Sequence, residues 1–506
     1  MTPMKSWIPK AVIYQINLRS LAYREPRNAF EAATEKPLKD SPLAYVAKNL
    51  PTIKKLGANV LYFMPPYPIG FEERKGIGSP YSIRDFQAIE PEYGTLDDMA
   101  DLVRKAHRLG FKVIFDITPN HTSRDHVWIN QHPEFYVKRD NGDIFYDCDW
   151  SDTAKLDYTQ PALRNAMTAI YDYWLSFLGT RPDGQPDGID GFRLDMAHFI
   201  NDKSYWNEAM PVLKQRHAGR ELLFLAECYG LHNNLDLFDR GINAAYDDDF
   251  YKNCQYLYGI DTAFHSRILP EDGIENNHDY RDRYQAFLDG GIAGAFAKAL
   301  TNYEERNPRG SKGPFVARYT DNHDEGRGMY LFGEGTVRAV NELIFFAPHT
   351  LPFLLTGEEF GALNRPPIHD RLNPIGKRRR ILEANGTVRT QEAVEFEGNV
   401  FLRGDSPRKD LYTFFQTLIT LRKKNPAFTQ GSFTLLDPGE QTEPEHRSVI
   451  AFARSYRNQT FHVAVNLGPE PRTLLNLPLF KGTPIYGRLD GNQLHAFSSC
   501  VVDVAT

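Results

Sequence analysis

The chain has 506 residues, of which 25% are charged, and a formal net charge of −6. This length can bury a large core in two or three domains, and the acidic balance argues against nucleic acid or an anionic membrane as a partner. The four cysteines have irregular spacing, which argues against a zinc site or a disulfide framework. No apolar run reaches membrane-span length and the first ten residues lack the apolar core of a signal peptide, so we expect a cytoplasmic protein. A secreted protein from which the signal peptide had been removed would show the same sequence features.

The first part of the chain repeats a unit of helix, glycine and apolar strand. Residues 11–19 read as a buried strand. Apolar residues at helical spacing predict a helix over 43–56, which Gly57 ends, and a strand follows over 59–65. The same order recurs over 96–117 with a helix, a glycine and a strand.

The alternation continues through most of the remaining chain. Helices are predicted over 161–177, 205–215, 280–303, 336–346 and 410–424, and strands over 191–195, 222–227, 243–246, 315–322 and 350–359. Eight strands alternating with helices predict an α/β fold, a parallel (β/α)₈ TIM barrel, in which all strand carboxyl ends meet on one face. A doubly wound open sheet would scatter the polar residues at those ends, which are Asp116, Asp195, Glu227, Asn322 and Glu358.

Two segments depart from this alternation. The connection after the third strand, residues 119–160, is long and rich in Trp, Asp and Tyr, and it predicts a short inserted B subdomain that acts as a lid. Residues 428–506 contain short alternating apolar runs separated by turn residues, which predict a C-terminal antiparallel β-sandwich. The barrel would then comprise residues 1–118 and 161–427.

The stretch GIDGFRLDMAH, residues 188–198, carries the first chemical signal. Arg193 and Asp195 are two apart, so on a strand their side chains share one face. A neighbouring guanidinium favours the ionised carboxylate and lowers the pKa of Asp195, and an ionised, oriented carboxylate suits a covalent nucleophile. An isolated pair of this kind is more often a strand-end salt bridge.

Two other strand ends carry similar groups. KVIFDITPNH places Asp116 at a strand end, where it can anchor an arginine, with Asn120 and His121 in the following loop. LLFLAECY places Glu227 after five apolar residues, and such a desolvated carboxyl group suits a general acid. Taken singly, the first segment fits a structural turn and the second fits a salt-bridged glutamate at the barrel rim.

A fourth segment, RYTDNHDE, contributes Asp324. Asp321 and Glu325 flank it, so spacing alone does not select Asp324, and a charged surface loop is an equal reading. Together, however, the four segments occur in order, each at a predicted strand end and each with a carboxylate. Glycoside hydrolysis requires such a set, namely an acid, a nucleophile and groups that hold the sugar.

The segments DITPNH, GFRLDMAH, FLAECY and TDNHD resemble the four ordered motifs of the α-amylase family, glycoside hydrolase family thirteen. LDYTQPALR, residues 156–164, is similar to the fifth and weaker motif of that family. The resemblance covers nearly the whole chain, including the inserted and C-terminal segments. It implies that Asp195 is the nucleophile, Glu227 the general acid/base and Asp324 the transition-state stabiliser, with Arg193 orienting Asp195.

The resemblance also implies roles in substrate binding. His121 and His323 match histidines that hydrogen-bond the sugar in subsite −1, and Tyr81, in GSPYSIRDF, matches the aromatic residue that stacks on it. His198 stands where many α-amylases have a lysine, so it is either an acceptor-side contact or a buried histidine. Asn120 matches a position that binds structural calcium in many members, while the chemistry itself requires no cofactor.

These features predict a retaining α-glycosidase that acts on α-1,4-linked glucans or malto-oligosaccharides. The alternative is a transglycosidase, such as a 4-α-glucanotransferase or a maltosyltransferase, because both classes use the same carboxylates. The stretch PPYPIGFEERKGIGSPY is similar to the maltosyltransferase and bacterial amylase branch. A non-catalytic amylase-like binding protein ranks last because all three carboxylates are present. The preferred chain length and linkage of the substrate and the oligomeric state of the protein stay open.

Overall fold

The computed structural model describes residues 6–21, 40–257, 278–306, 313–363, 366, 368, 379–382, 388–391 and 408–504. Its centre is a closed barrel of parallel strands, in which the first strand pairs with both the second and the last. The eight strands are β1 (Ile13–Ile16), β2 (Val60–Phe63), β3 (Lys112–Ile117), β4 (Gly191–Leu194), β5 (Leu223–Ala226), β6 (Ala244–Tyr246), β7 (Phe315–Arg318) and β8 (Thr350–Leu355). The predicted (β/α)₈ barrel is confirmed.

Helices follow the strands around the barrel. They are α1 (Pro42–Leu56), α2 (Leu96–Arg108), α3 (Pro161–Ser176), α4 (Ser204–Arg216), α5 (Leu231–Asp239), α6 (Asp248–Leu257), α7 (His278–Arg306), α8 (Glu334–Phe346) and α9 (Lys409–Lys424). The sequence predicted all of these except α5 and α6. Helix α7 bends at Gly290 and Gly291, whose backbone angles are not helical. None of the described helices is long and apolar enough to cross a membrane.

Local sequence chemistry sets the ends of the early helices. Ser41 caps α1 by accepting a hydrogen bond from the Ala44 amide, and Gly57 ends the helix at a φ of 108°, a backbone angle that glycine adopts without a side-chain clash. Thr95 and Asp98 form a reciprocal capping box at the start of α2. These signals explain why the predicted boundaries lie so close to the observed ones.

Two apolar layers hold the barrel together. One fills its interior, with buried side chains from most strands, and the other lies between the strands and the surrounding helices. At the entry to β4, a Cβ atom on Gly191 would lie 1.9 Å from the Leu223 carbonyl oxygen of β5. Only glycine permits the two strands to pair at that point, and this pairing places the ends of β4 and β5 side by side.

The segment after β3 folds over the carboxyl face of the barrel. Its two ends pair as a short antiparallel ribbon, His121–Ser123 with Thr153–Lys155. Phe135 and Tyr136 are buried and join the main apolar core, so the segment packs against the barrel. The predicted limits of a separate subdomain, 119–160, stay a prediction.

The C-terminal part forms an antiparallel sheet in the strand order β9 (Ser432–Leu436), β10 (Val449–Tyr456), β11 (Gln459–Asn466), β13 (Ser499–Asp503) and β12 (Thr483–Gly487). One face of this sheet shares the core of the barrel helices. The other face packs with Leu474 and Leu494, from a two-stranded ribbon that covers it. The predicted C-terminal antiparallel β-structure is therefore confirmed. All four cysteines are free.

A buried carboxyl group lies between α8 and this sheet. Glu342 Oε1 accepts a 2.8 Å hydrogen bond from the Tyr486 hydroxyl, while Oε2 has no hydrogen-bond partner. Burial raises the pKa of Glu342 to about 7, against the opposing hydrogen bond of Tyr486 and the charge of Arg338. The interface therefore favours the protonated acid.

We expect E342Q to remove a pH-dependent loss of stability. The ordinary pKa of 4.5 describes the unfolded chain, so the stabilisation is full below pH 4.5 and is lost as the pH rises through about 7. Between these limits the wild type should lose roughly 3 kcal/mol relative to E342Q. Thermal midpoints of both proteins across this range measure the difference, with the exposed Glu305 changed to Gln as control. Parallel curves for wild type and E342Q would contradict the prediction.

Candidate active site

One arginine stands at the centre of the predicted site. Arg193 is fully buried, and its Nη1 donates to Asp116 Oδ1 at 2.9 Å and to Asp195 Oδ1 at 2.8 Å. Its Nη2 lies 3.0 Å from Glu227 Oε2. These groups lie on the ends of three adjacent strands, β3, β4 and β5, because the barrel order places those strands side by side. A single guanidinium thus contacts three carboxylates.

The pKa of Asp195 differs from the sequence expectation. Arg193 does favour the ionised form, but burial and the nearby Glu227 carboxylate outweigh it and raise the pKa of Asp195 well above its ordinary range. Burial also raises the pKa of Asp116, with Arg193 and His323 opposing. The physical reason is the count of charges, since one buried cation faces three acids. The cluster therefore retains a proton more readily than isolated carboxylates would.

Glu227 is held by donors from two sides. The Met196 amide donates to Oε2 at 3.0 Å, and the Tyr229 hydroxyl donates to Oε1 at 2.7 Å. Met196 follows Asp195 directly and has a φ of 44°, an angle that non-glycine residues rarely adopt. This turn aims the amide at Glu227, so backbone strain occurs at the step between the two carboxylates.

The wall beside Asp116 consists of hydroxyl groups and a histidine. Asp116 Oδ2 accepts hydrogen bonds from Tyr62 at 2.5 Å and from Tyr81 at 3.0 Å. The Tyr81 hydroxyl also contacts His323 Nε2, and the two rings stack with centroids 5.6 Å apart. Gln15 Nε2 lies 2.8 Å from His323 Nδ1. Tyr81 and His323 thereby lie in the same cluster as Arg193, and their contact with a sugar stays a prediction.

The structure distinguishes the three acidic residues around His323. Asp321 is buried and pairs with Arg327 at 3.1 Å, and Glu325 Oε2 accepts from Gln255 at 2.9 Å. Asp324 instead has a side chain that is 44% exposed, with its carboxylate 3.0 Å from His323 Nε2. Of the three, Asp324 is the one that a ligand above the cluster could reach.

The remaining predicted residues border the cluster. Burial lowers the pKa of His121 to about 4, so its ring is neutral near pH 7 and can donate or accept a hydrogen bond. Its ring lies 5.6 Å from that of Trp150. Burial also lowers the pKa of His198, which lies edge-on to Tyr229 at 5.6 Å, on the Glu227 side of the site.

Sequence reasoning missed several residues of this site. Tyr229 stands two positions after Glu227 and had no motif of its own. Gln15 and Tyr62 are polar positions in largely apolar strands, and a polar side chain near the end of a buried strand is a signal that could have identified them. No feature of the sequence predicted the role of the Met196 amide, because the residue type does not determine the backbone angles at that position.

Comparisons with known proteins agree with this architecture. The family model described as the α-amylase catalytic domain matches residues 39–145. Alpha-amylase 3 of Dictyoglomus thermophilum is 23% identical over 495 residues, which cover 91% of this chain and 85% of that protein. The chain is therefore similar to members of the α-amylase family.

Two further similarities extend this comparison. An α-1,4-glucan:maltose-1-phosphate maltosyltransferase of Rhodospirillum rubrum is 31% identical over 202 residues, covering 36% of this chain and 28% of that protein. The crystal structure of an α-amylase from Lactobacillus plantarum superposes with a TM-score of 0.67 at 22% identity, covering 99% of this chain and all of that one. The second similarity shows that the fold is shared.

The surroundings of Asn120 do not fit the calcium ion that the α-amylase resemblance implies. Asn120 Nδ2 donates to Asp147 Oδ2 at 2.8 Å, and Lys155 Nζ lies 2.8 Å from both oxygens of Asp147. A divalent cation bound to Asp147 would stand against this ammonium group, and the two positive charges would repel each other. Among the described residues, no cluster of three or more His, Cys, Asp or Glu side chains could hold a metal.

Proposed function

We propose that this protein is a retaining α-glycosidase that acts on α-1,4-linked glucans or malto-oligosaccharides. The observation that carries the proposal is the position of Arg193, whose two terminal nitrogens contact Asp195 and Glu227. Two carboxylates that contact the same guanidinium lie close together. In an inverting glycosidase the two carboxylates are farther apart, because a water molecule must fit between one of them and the sugar, so the close pair favours a retaining mechanism.

The proposed reaction has two steps. Asp195 attacks the anomeric carbon while Glu227 transfers a proton to the leaving glycosidic oxygen, so one C–O bond forms as the other breaks. Water then attacks the glycosyl–Asp195 ester, and Glu227 takes the proton from it. In the proposed reaction Asp324 stabilises the positively charged sugar ring, and the neutral His121 hydrogen-bonds its hydroxyl groups. No step requires a cofactor.

A transglycosidase is the second candidate, and the side of the site near Glu227 favours it. There the His198 ring lies edge-on to both Tyr229, at 5.6 Å, and Phe199, at 4.8 Å. Aromatic surfaces of this kind bind the apolar faces of a sugar ring and displace water. An acceptor hydroxyl would then replace water in the second step, with the same carboxylates in the same roles.

Product analysis with maltotetraose or maltoheptaose separates the two activities. Chromatography of the products alongside an assay for reducing ends is expected to show shorter sugars and a rise in reducing ends if water is the acceptor. Longer oligosaccharides without that rise would identify a transferase and overturn hydrolysis as the main activity. No change with either substrate would contradict both proposals. A cytoplasmic location stays a separate prediction.

A further inference from the structure

The predicted lid contains a buried cation that serves no step of the proposed reaction. The Lys155 side chain is 11% exposed, and its ammonium group lies 2.8 Å from both oxygens of Asp147 and donates to the Phe199 carbonyl oxygen at 3.1 Å. Asn120 Nδ2 also donates to Asp147, at 2.8 Å. One positive charge therefore lies among oxygen atoms that come from separate parts of the chain.

Those parts carry the sugar-binding side of the site. Lys155 pairs directly with His121 in the short ribbon that joins the two ends of the inserted segment. Phe199 follows His198, in the loop after β4 that begins at Asp195. The Lys155 ammonium thus ties the inserted segment to the loop that bears His198.

We propose that Lys155 is a built-in cation that joins the lid to the barrel in place of a bound calcium ion. Asp147 and the Phe199 carbonyl supply hard oxygen atoms of the type that calcium prefers, and Asn120 Oδ1 is buried without a hydrogen-bond partner. The ammonium group satisfies the Asp147 carboxylate and the Phe199 carbonyl oxygen, two of the acceptors that a metal ion would otherwise take. The enzyme accordingly keeps its fold and its activity without calcium.

Two variants of Lys155 separate the loss of the positive charge from the loss of side-chain volume. K155M keeps a long side chain in the space but removes its charge, whereas K155A removes the charge and opens the space. Both remove the cationic partner of Asp147, whose side chain is only 13% exposed, and we expect thermal midpoints lower than wild type by roughly 5 °C or more. Calcium should raise the midpoint of K155A, whose oxygen atoms then form an open cation site, and should not raise that of K155M.

The experiment measures thermal midpoints of the full chain with EDTA, with excess calcium chloride and with magnesium chloride, in the absence of substrate. The wild type is expected to respond to neither EDTA nor calcium, and Lys138→Met, in the same segment, is the matched control that should resemble it. A wild-type midpoint that falls in EDTA would overturn the proposal. So would a K155A midpoint that calcium leaves unchanged.

If K155A fails to fold, two measurements keep the test decisive. D147N keeps the lysine but removes its charged acceptor, so it should lower the midpoint without creating a response to calcium. Metal analysis of wild-type protein purified in calcium should find no bound ion, and a stoichiometric ion would overturn the proposal. Because these readouts need no substrate, they remain valid even if the proposed glycosidase activity is wrong.

Discussion

Replacing Asp195 with asparagine is expected to lower kcat on malto-oligosaccharides by a factor on the order of 10⁴ or more. The amide oxygen can still accept the hydrogen bond from Arg193, but the amide is too weak a nucleophile to form the glycosyl ester. Burial raises the pKa of Asp195, so the folded protein bears a cost for the ionised group. The neutral asparagine should therefore leave the thermal midpoint unchanged or raise it.

A loss of turnover combined with a maintained midpoint distinguishes a catalytic role from a structural one. The matched control is E325Q, because Glu325 lies in the loop that follows β7 but accepts hydrogen bonds from Gln255 and Tyr251 instead of joining the Arg193 cluster. It should retain kcat within tenfold of wild type. Full activity in D195N would contradict the roles proposed for Asp195, Glu227 and Asp324.

The barrel was predictable because its signals are local and repeated. Apolar runs of strand length alternate with amphipathic helices, and residues such as Ser41, Gly57 and Thr95 mark their boundaries. Helices α5 and α6 were not predicted; both are short, and each begins within five residues of the end of the strand before it. Once the barrel is known, the convergence of Asp116, Asp195 and Glu227 follows from the order of adjacent strands.

The electrostatics of the site could not be predicted in the same way. Sequence spacing places Arg193 beside Asp195, but it does not show that the same guanidinium also contacts Asp116 and Glu227. The direction of the Asp195 pKa depends on that three-dimensional count of charges and on burial. The same limit applies to Lys155, because its contacts depend on how the inserted segment folds back onto the barrel.

Replacing Glu227 with glutamine should separate proton transfer from nucleophilic attack. We expect a loss of about 10²–10⁴ in kcat/KM on malto-oligosaccharides, because the leaving sugar hydroxyl needs the proton that an amide cannot give. The loss should be much smaller with an aryl α-glycoside that has an acidic phenol, since that leaving group departs without protonation. Steady-state kinetics with both substrates measure the difference between the two losses.

The second step provides an independent readout of the same residue. With the aryl α-glycoside, the glycosyl ester on Asp195 should accumulate in E227Q because no base activates water, and azide should restore turnover because it attacks without one. An α-glycosyl azide as product would establish two displacements at the anomeric carbon and hence a retaining pathway. Tyr229→Phe removes a hydrogen bond to Oε1 but keeps the carboxylate, so it should show neither azide rescue nor dependence on the leaving group. Equal losses of E227Q on both substrates would instead assign proton donation to another group.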